Sequence, residues 1–313
     1  MTARAEYQRG IMDSFNDPTV REVVVMSSAQ CGKTEILNNI VGYFIEQDPS
    51  PILVVQPTLD MAQTWSKDRL APMLRDTPSL SNLVKDPRAR DSGNTTLHKI
   101  FPGGHITACG ANSPASLASR PIRVVLFDEV DRYPVSAGSE GDPLSLGKKR
   151  SATFWNRKIA MVSTPTNKGA SRIEMAYEDS DQRKFFVKCP HCQHPQEMKW
   201  ANVKWDEGKP ETAKYSCQEC GTLWDESDRL RAIKSGEWLA TAEFTGIAGF
   251  HLSALYSPWT PIADGVRDFL EAKKQPATLR VWINTYLGET WEEHGEEVSE
   301  HSLMDRREEW ETI

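Results

Sequence analysis

The sequence predicts an α/β protein: a mostly parallel sheet with helices on both faces, interrupted late by a small metal-binding insertion. Three observations carry this. Short, near-continuous apolar runs alternate with segments of helical period. One of these runs is joined to a helix by a loop ending Gly-Lys-Thr. Four of the six cysteines fall in two CxxC pairs.

The elements follow in chain order. Residues 22–27, EVVVMS, form a β-branched run bounded by polar residues, which reads as a buried strand. After the loop, Ile36, Leu37, Ile40, Val41, Phe44 and Ile45 mark one apolar face of a helix over 34–46. Asp48-Pro49-Ser50-Pro51 stops it, because proline cannot continue the hydrogen-bond ladder. PILVVQP is a second strand, and 60–75 a second helix. HITACG (105–110), IRVVLF (122–127) and KIAMVST (158–164) read as further strands. Residues 76–98 are polar and receive no element, and GSEGDPLSLGKKRSATFW reads as a glycine-rich, partly basic loop. Later, GFHLSALYSPW reads as a strand, and DGVRDFLEAKK and TLRVWINTYLGE as helices. The expected division is a core over 1–188, an insertion over 189–224, a returning strand and helices over 225–290, and an acidic tail over 291–313.

Composition sets limits. With 39% hydrophobic and 26% charged residues, the 313-residue chain has the make-up of a soluble protein with ample core. No apolar run approaches the roughly 20 residues of a membrane span. MTARAEYQRG lacks the apolar segment of a signal peptide, so a cytoplasmic address is the expectation. A net charge of −7 argues against a protein that coats nucleic acid, though not against local basic loops.

The stretch SSAQCGKT, residues 27–34, ends like the phosphate-binding pattern G-x-x-x-x-G-K-[ST] but has Ser27 where its first glycine belongs. A strand before it and a helix after it are the context such a loop needs. The backbone of Ser28, Ala29, Gln30, Cys31 and Gly32 would cradle phosphate oxygens at the helix N-terminus. Lys33 would reach the β- and γ-phosphates, and the Thr34 hydroxyl would ligand Mg²⁺. VVLFDE (124–129) then delivers Asp128 to the Mg²⁺ shell and Glu129 as the general base that polarises water. Ser163 and Thr164, in STPT at the end of a neighbouring strand, could sense the γ-phosphate. The fold class is therefore an α/β P-loop NTPase core.

In the insertion, Cys189, Cys192, Cys217 and Cys220 form two knuckles with 24 residues between the pairs. Together they complete a tetrahedral four-sulfur site suited to structural zinc, a zinc ribbon, with two hairpin strands filling the interval. A redox dithiol and free thiols are the alternatives. His191 and His194 are not needed as ligands. Cys31 and Cys109 carry no sign of nucleophilic chemistry.

The order of these motifs resembles the large subunit of tailed-phage terminases, in the GpA-like branch. The blocks that match are REVVVMSSAQCGKTE, ILVVQPT, GANSPASLASRPIRVVLFDEVDRYP, STPT, the paired cysteines, GFHLSALYSPW and NTYLGETW. That family's loop also varies at its first glycine. The resemblance implies an ATP-hydrolysing motor that packages double-stranded DNA into a procapsid in the host cytoplasm. It further implies work as a homo-oligomeric ring with a small subunit and a portal protein, and no membrane. It implies an adenine contact at Tyr7 and Gln8, against the plainer reading of a polar helix. Arg120 is a candidate for an arginine given to a neighbour's nucleotide, against that of a surface arginine. Lys148, Lys149 and Arg150 are candidates for touching DNA, against a solvated loop. The family's endonuclease domain is expected to begin where this chain stops, so no nuclease activity is expected of it. A helicase-like translocase and a non-catalytic adaptor are the rival readings; the first lacks a second motor domain, and the intact Lys33, Thr34, Asp128 and Glu129 speak against the second.

Overall fold

The structure is a computed structural model that describes residues 4–84, 93–118 and 120–293. Thirteen strands organise the described residues. They are β1 (Glu22–Ser27), β2 (Ile52–Gln56), β3 (His98–Phe101), β4 (Gly104–Gly110), β5 (Val124–Asp128), β6 (Lys158–Ser163), β7 (Arg183–Lys188), β8 (Pro195–Glu197), β9 (Val203–Asp206), β10 (Lys209–Ser216), β11 (Leu223–Trp224), β12 (Glu237–Leu239) and β13 (Ile247–Leu252). The main sheet runs β12-β7-β13-β1-β6-β5-β2-β4-β3, with β8 added beside β7. From β7 to β4 every pairing is parallel, and the antiparallel pairings lie at its two ends.

Burial on both faces explains the apolar runs. Alternate residues of β1 enter different layers: Val23 and Val25 pack with Ile36, Leu37, Ile40 and Phe44 of the helix Lys33–Glu46. Val24 and Met26 pack with Phe127, Ile173 and Tyr177 on the other side. Each such side chain contributes about 1.5–3 kcal/mol when fully buried. The helix Lys33–Glu46 is therefore held by packing along its length, which leaves its N-terminus free for another use.

Several expectations are refined. The second helix covers Leu59–Trp65 and Ala71–Asp76, with a π-helical turn at Ser66–Leu70 between them. β3 lies in part of the sequence that received no element. The stretch read as a loop contains the helix Pro143–Lys149, started by Asp142, whose carboxylate accepts a hydrogen bond from Ser145 N at 2.8 Å, with proline in the first turn. Its Lys148 is paired with Glu22 at 2.6 Å. The returning strand covers Ile247–Leu252 rather than the whole of 249–259, a short helical turn at Ala254–Tyr256 follows it, and it lies between β7 and β1. Residues 294–313 of the anticipated acidic tail lie outside the described residues. No described helix is long and apolar enough to cross a membrane.

Between the cysteine pairs, β9 and β10 form the hairpin, and β11 completes a separate three-stranded sheet. The two C-terminal helices, Ile262–Ala272 and Pro276–Trp282, pack on this small sheet through Trp200, Trp205, Phe269, Trp282 and Tyr286.

Candidate active site and metal centre

Parallel pairing brings the C-terminal ends of β1, β6, β5 and β2 to one edge, and the polar residues of the sequence motifs gather there. The loop leaves β1 at Ser27, whose backbone is ordinary strand. Positive φ values fall instead at Gln30 (60°) and Gly32 (83°). Glycine is thus not required at position 27. It is required at 32, where a Cβ would also lie 2.2 Å from Gln8 Nε2. Gly32 is the N-cap of the helix Lys33–Glu46 and offers no side chain to its first-turn amides.

Lys33 is almost completely buried. Its Nζ lies 2.5 Å from Thr164 Oγ1, 3.1 Å from Ser28 O and 3.6 Å from Glu129 Oε1. Asp128 is buried at the end of β5 and accepts a hydrogen bond from Gln56 Nε2 at 2.9 Å. Glu129 follows in the left-handed region with φ of 54°. Its Oε2 has no hydrogen-bond partner and lies 3.7 Å from Arg132 Nε. Ser163 is buried, and its Oγ accepts from Asp131 N at 3.3 Å. Asp131 in turn accepts from Thr166 Oγ1 and Ile173 N, each at 2.8 Å, which steadies the tip after β6. Thr34 opens the helix beside Lys33 and is half-buried.

The structure places Tyr7 and Gln8 under this loop: Tyr7 Oη donates to Cys31 O at 3.2 Å, and Gln8 Nε2 to the same carbonyl at 3.4 Å. Both side chains are buried, and burial pushes the Tyr7 hydroxyl above its usual range. Cys31 turns its thiol inward, 2.7 Å from Ser28 Oγ. Cys109 is a core residue of β4, its thiol pushed up to about 12 by burial. Arg120 is not with this group: it lines a cavity of about 230 Å³ with Leu53, His98, Thr107, Ser116 and Arg150, and makes no ion pair among the described residues.

At the second centre the four cysteine Sγ atoms lie within 4.8 Å of one another, with Cys189–Cys220 at 3.9 Å and Cys192–Cys217 at 3.8 Å. A disulfide needs sulfurs about 2.05 Å apart. Four thiolates roughly 2.3 Å from one tetrahedral ion stand about 3.8 Å apart, so the donor set fits zinc. Amide N–H groups of His191 and Cys192 point at Cys189 Sγ, and Gln196 Nε2 donates to Cys217 Sγ. His191 faces away, to Asp228 at 3.3 Å.

Comparison with known proteins decides the family. The family model for the phage terminase large subunit gpA, ATPase domain, matches residues 1–238. The chain belongs to this terminase family. Among relatives, the large terminase subunits of Enterobacteria phage P21 and Escherichia phage lambda are 31% and 29% identical to it, each over 96% of the chain and 51% of the relative. The chain thus spans about half the length of these relatives. The HK97 bacteriophage large terminase superposes with a TM-score of 0.54 at 13% identity, over 91% of this chain and 50% of the other. A variant of the ATPase domain of the Thermus phage P74-26 large terminase gives 0.51 at 16%, over 90% and 93%. These two share its fold.

The family assignment supports ATPase activity. It also corrects one expectation: the gpA endonuclease-domain model matches residues 247–313, so its start is not beyond Ile313. In this terminase chain the matched region opens with β13, which is an interior strand of the main sheet and pairs with β1.

Sequence reasoning missed Gln56, although a polar residue ending an otherwise apolar strand at the motif edge was a readable signal. It also missed the contacts of residues 284–291, which no local pattern announces.

Burial pushes the Asp128 carboxyl up to about 6, with Gln56 opposing and Glu129 adding to the effect. The folded chain therefore holds this proton more tightly than the unfolded chain. The stability present below about pH 4 is lost as pH rises to about 6, by roughly 2–3 kcal/mol. Asp128→Asn should keep the bond from Gln56 and remove this loss. Denaturant unfolding at pH 8 is expected to show the variant more stable, by about 1–2 kcal/mol, while ATP turnover falls below detection. A variant less stable than the parent at pH 8 would contradict the burial argument.

Proposed function

We propose that the chain is the ATP-hydrolysing motor of a phage terminase large subunit and drives double-stranded DNA into a procapsid. The observation that supports this most is the convergence of Lys33, Asp128, Glu129 and Thr164 on one sheet edge, at the N-terminus of a helix capped only by glycine. In this reading the amides of residues 30–34 and the Lys33 ammonium hold the β- and γ-phosphates. Thr34 and Asp128 would hold Mg²⁺, which would supply positive charge beside the phosphates. Glu129 takes the proton of the attacking water, and its oxygen without a hydrogen-bond partner is the group suited to that. Thr164, already bonded to Lys33, registers whether the γ-phosphate is present.

Tyr7 and Gln8 position the loop and adjoin the adenine. Arg120, remote from its own chain's phosphate loop, serves a neighbour in a homo-oligomeric ring. The four cysteines hold a structural zinc ion. DNA, the small subunit and the portal are the partners, in the host cytoplasm. The division into core, ribbon and returning segment near residues 188 and 224 belongs to the same reading.

Steady-state ATP hydrolysis with Mg²⁺, measured with and without duplex DNA, tests it beside Lys33→Ala. DNA-stimulated turnover that disappears in the variant is the expected result. If the parent binds no ATP at all, the motor reading fails and a partner-binding adaptor takes its place.

A further inference from the structure

Residues 284–291, which follow the last α-helix, touch the two halves of the nucleotide site at once. On one side, Thr285 O accepts from Ala29 N at 2.7 Å. Beside it, Gly288 (φ +67°) packs so closely that a Cβ would stand 2.6 Å from Ser28 N. Its carbonyl accepts from His251 Nε2 at 3.1 Å, on the residue before Leu252, whose own carbonyl accepts from Ser28 N at 2.8 Å. On the other side, Asn284 Nδ2 donates to Thr166 O at 2.8 Å, and Trp291 N donates to the same carbonyl at 2.9 Å. Lys168 N returns a bond to Trp291 O at 2.9 Å. The second hydrogen of the Asn284 amide goes to Glu289 O at 2.8 Å, which folds the segment back so that both ends stay in reach.

These bonds sort the loop's amides. Those of Ser28 and Ala29 are spent on protein carbonyls, which fixes where the loop begins. The Thr164 that contacts Lys33 lies two residues before the carbonyl that Asn284 holds. We propose that residues 284–291 form a strap that sets the phosphate loop and the tip of β6 in mutual register, with Asn284 as its positioning residue. The inference rests on the ATPase reading for its catalytic consequence, though the strap itself does not depend on it. Asn284 touches no nucleotide in this scheme; it acts through Thr166 and hence Thr164.

Two substitutions separate this from a general packing role. Asn284→Ala deletes two donors but leaves Trp291 on Thr166. Asn284→Asp additionally turns carboxylate oxygens toward two carbonyl oxygens, which repels both. Two readouts are taken on the full chain. Amide hydrogen exchange without nucleotide is expected to accelerate about fivefold or more in Asn284→Asp at Lys168 and also at Ala29, which Asn284 does not touch. ATP turnover is expected to fall about tenfold in Asn284→Asp and about threefold in Asn284→Ala, with KM for ATP within about twofold of the parent. Faster exchange at Lys168 with Ala29 unchanged would overturn the strap, since the two anchors would then be independent. An equal loss in both variants accompanied by a rise in KM would reduce Asn284 to a stability role. If the parent itself does not hydrolyse ATP, the motor reading falls, and the exchange measurement still decides the strap.

Discussion

Glu129→Gln is expected to lower ATP turnover by about 10²–10⁴-fold while nucleotide binding stays within about threefold of the parent. The substitution keeps the size of the side chain and its ability to accept a hydrogen bond, and removes its basicity. Glu129 sits in the left-handed region without being glycine, a placement that costs about 1–3 kcal/mol and persists only when its surroundings impose it. Here β5 ends at Asp128 and the turn Val130–Arg132 begins at once, so the chain must swing Glu129 toward Lys33. Lys33 at 3.6 Å and Arg132 at 3.7 Å offer charge without a tight bond. That leaves a carboxylate oriented but not consumed by its neighbours. Because glutamine would adopt the same backbone, thermal unfolding should be nearly unchanged, and single-turnover hydrolysis isolates the chemical step. Turnover within tenfold of the parent would assign the base elsewhere.

What the sequence disclosed about this site followed from locality. β1, its loop and the helix after it are contiguous, and their apolar periods read directly; the end of β5 supplies Asp128 and Glu129 in one step. The cysteine knuckles are likewise short-range, and the fold places them with sulfurs at tetrahedral spacing. Long-range pairing was not legible. Nothing in Ile247–Leu252 states that it will lie against β1, since a buried parallel strand looks the same wherever it inserts. The partners of Ser28 and Ala29 are carbonyls more than two hundred residues away, and a carbonyl leaves no mark in a sequence. The helix Pro143–Lys149 was hidden for another reason. Its apolar content is low and glycine interrupts it, so the Asp142-Pro143 start was the only signal. Tyr7 and Gln8 illustrate a third case: their buried contacts with Cys31 O give them a supporting place that polarity alone did not suggest.

If the four cysteines hold zinc as proposed, removing it is expected to have the largest effect on stability. The small sheet β9–β11 is too small to hold itself together: its buried hydrophobic residues are Val203, Tyr215 and Trp224. Zinc bound to isolated four-ligand domains contributes about 10–16 kcal/mol, and without it such domains unfold. Here the gain is shared with the main sheet, because β8 is anchored to β7 and Tyr256 Oη, which accepts from Met198 N at 2.7 Å, donates to Phe185 O at 2.7 Å. Unfolding of the ribbon would also free Trp200, which packs on Phe269 at 5.3 Å, on Trp282 at 4.7 Å and on Tyr286 at 5.6 Å. Tyr286 is the neighbour of Thr285, whose carbonyl accepts from Ala29 N, so the disturbance should reach the loop after β1. A strong chelator, or Cys217→Ser, is expected to lower the melting temperature by roughly 10 °C or more and to change tryptophan emission. ATP affinity should fall in step. Cys109→Ser, in the main sheet, is the control that should leave metal content intact. A chain that purifies without one equivalent of zinc, yet melts where the metal-loaded chain does, would remove the metal from the fold and leave the four thiols to a redox role.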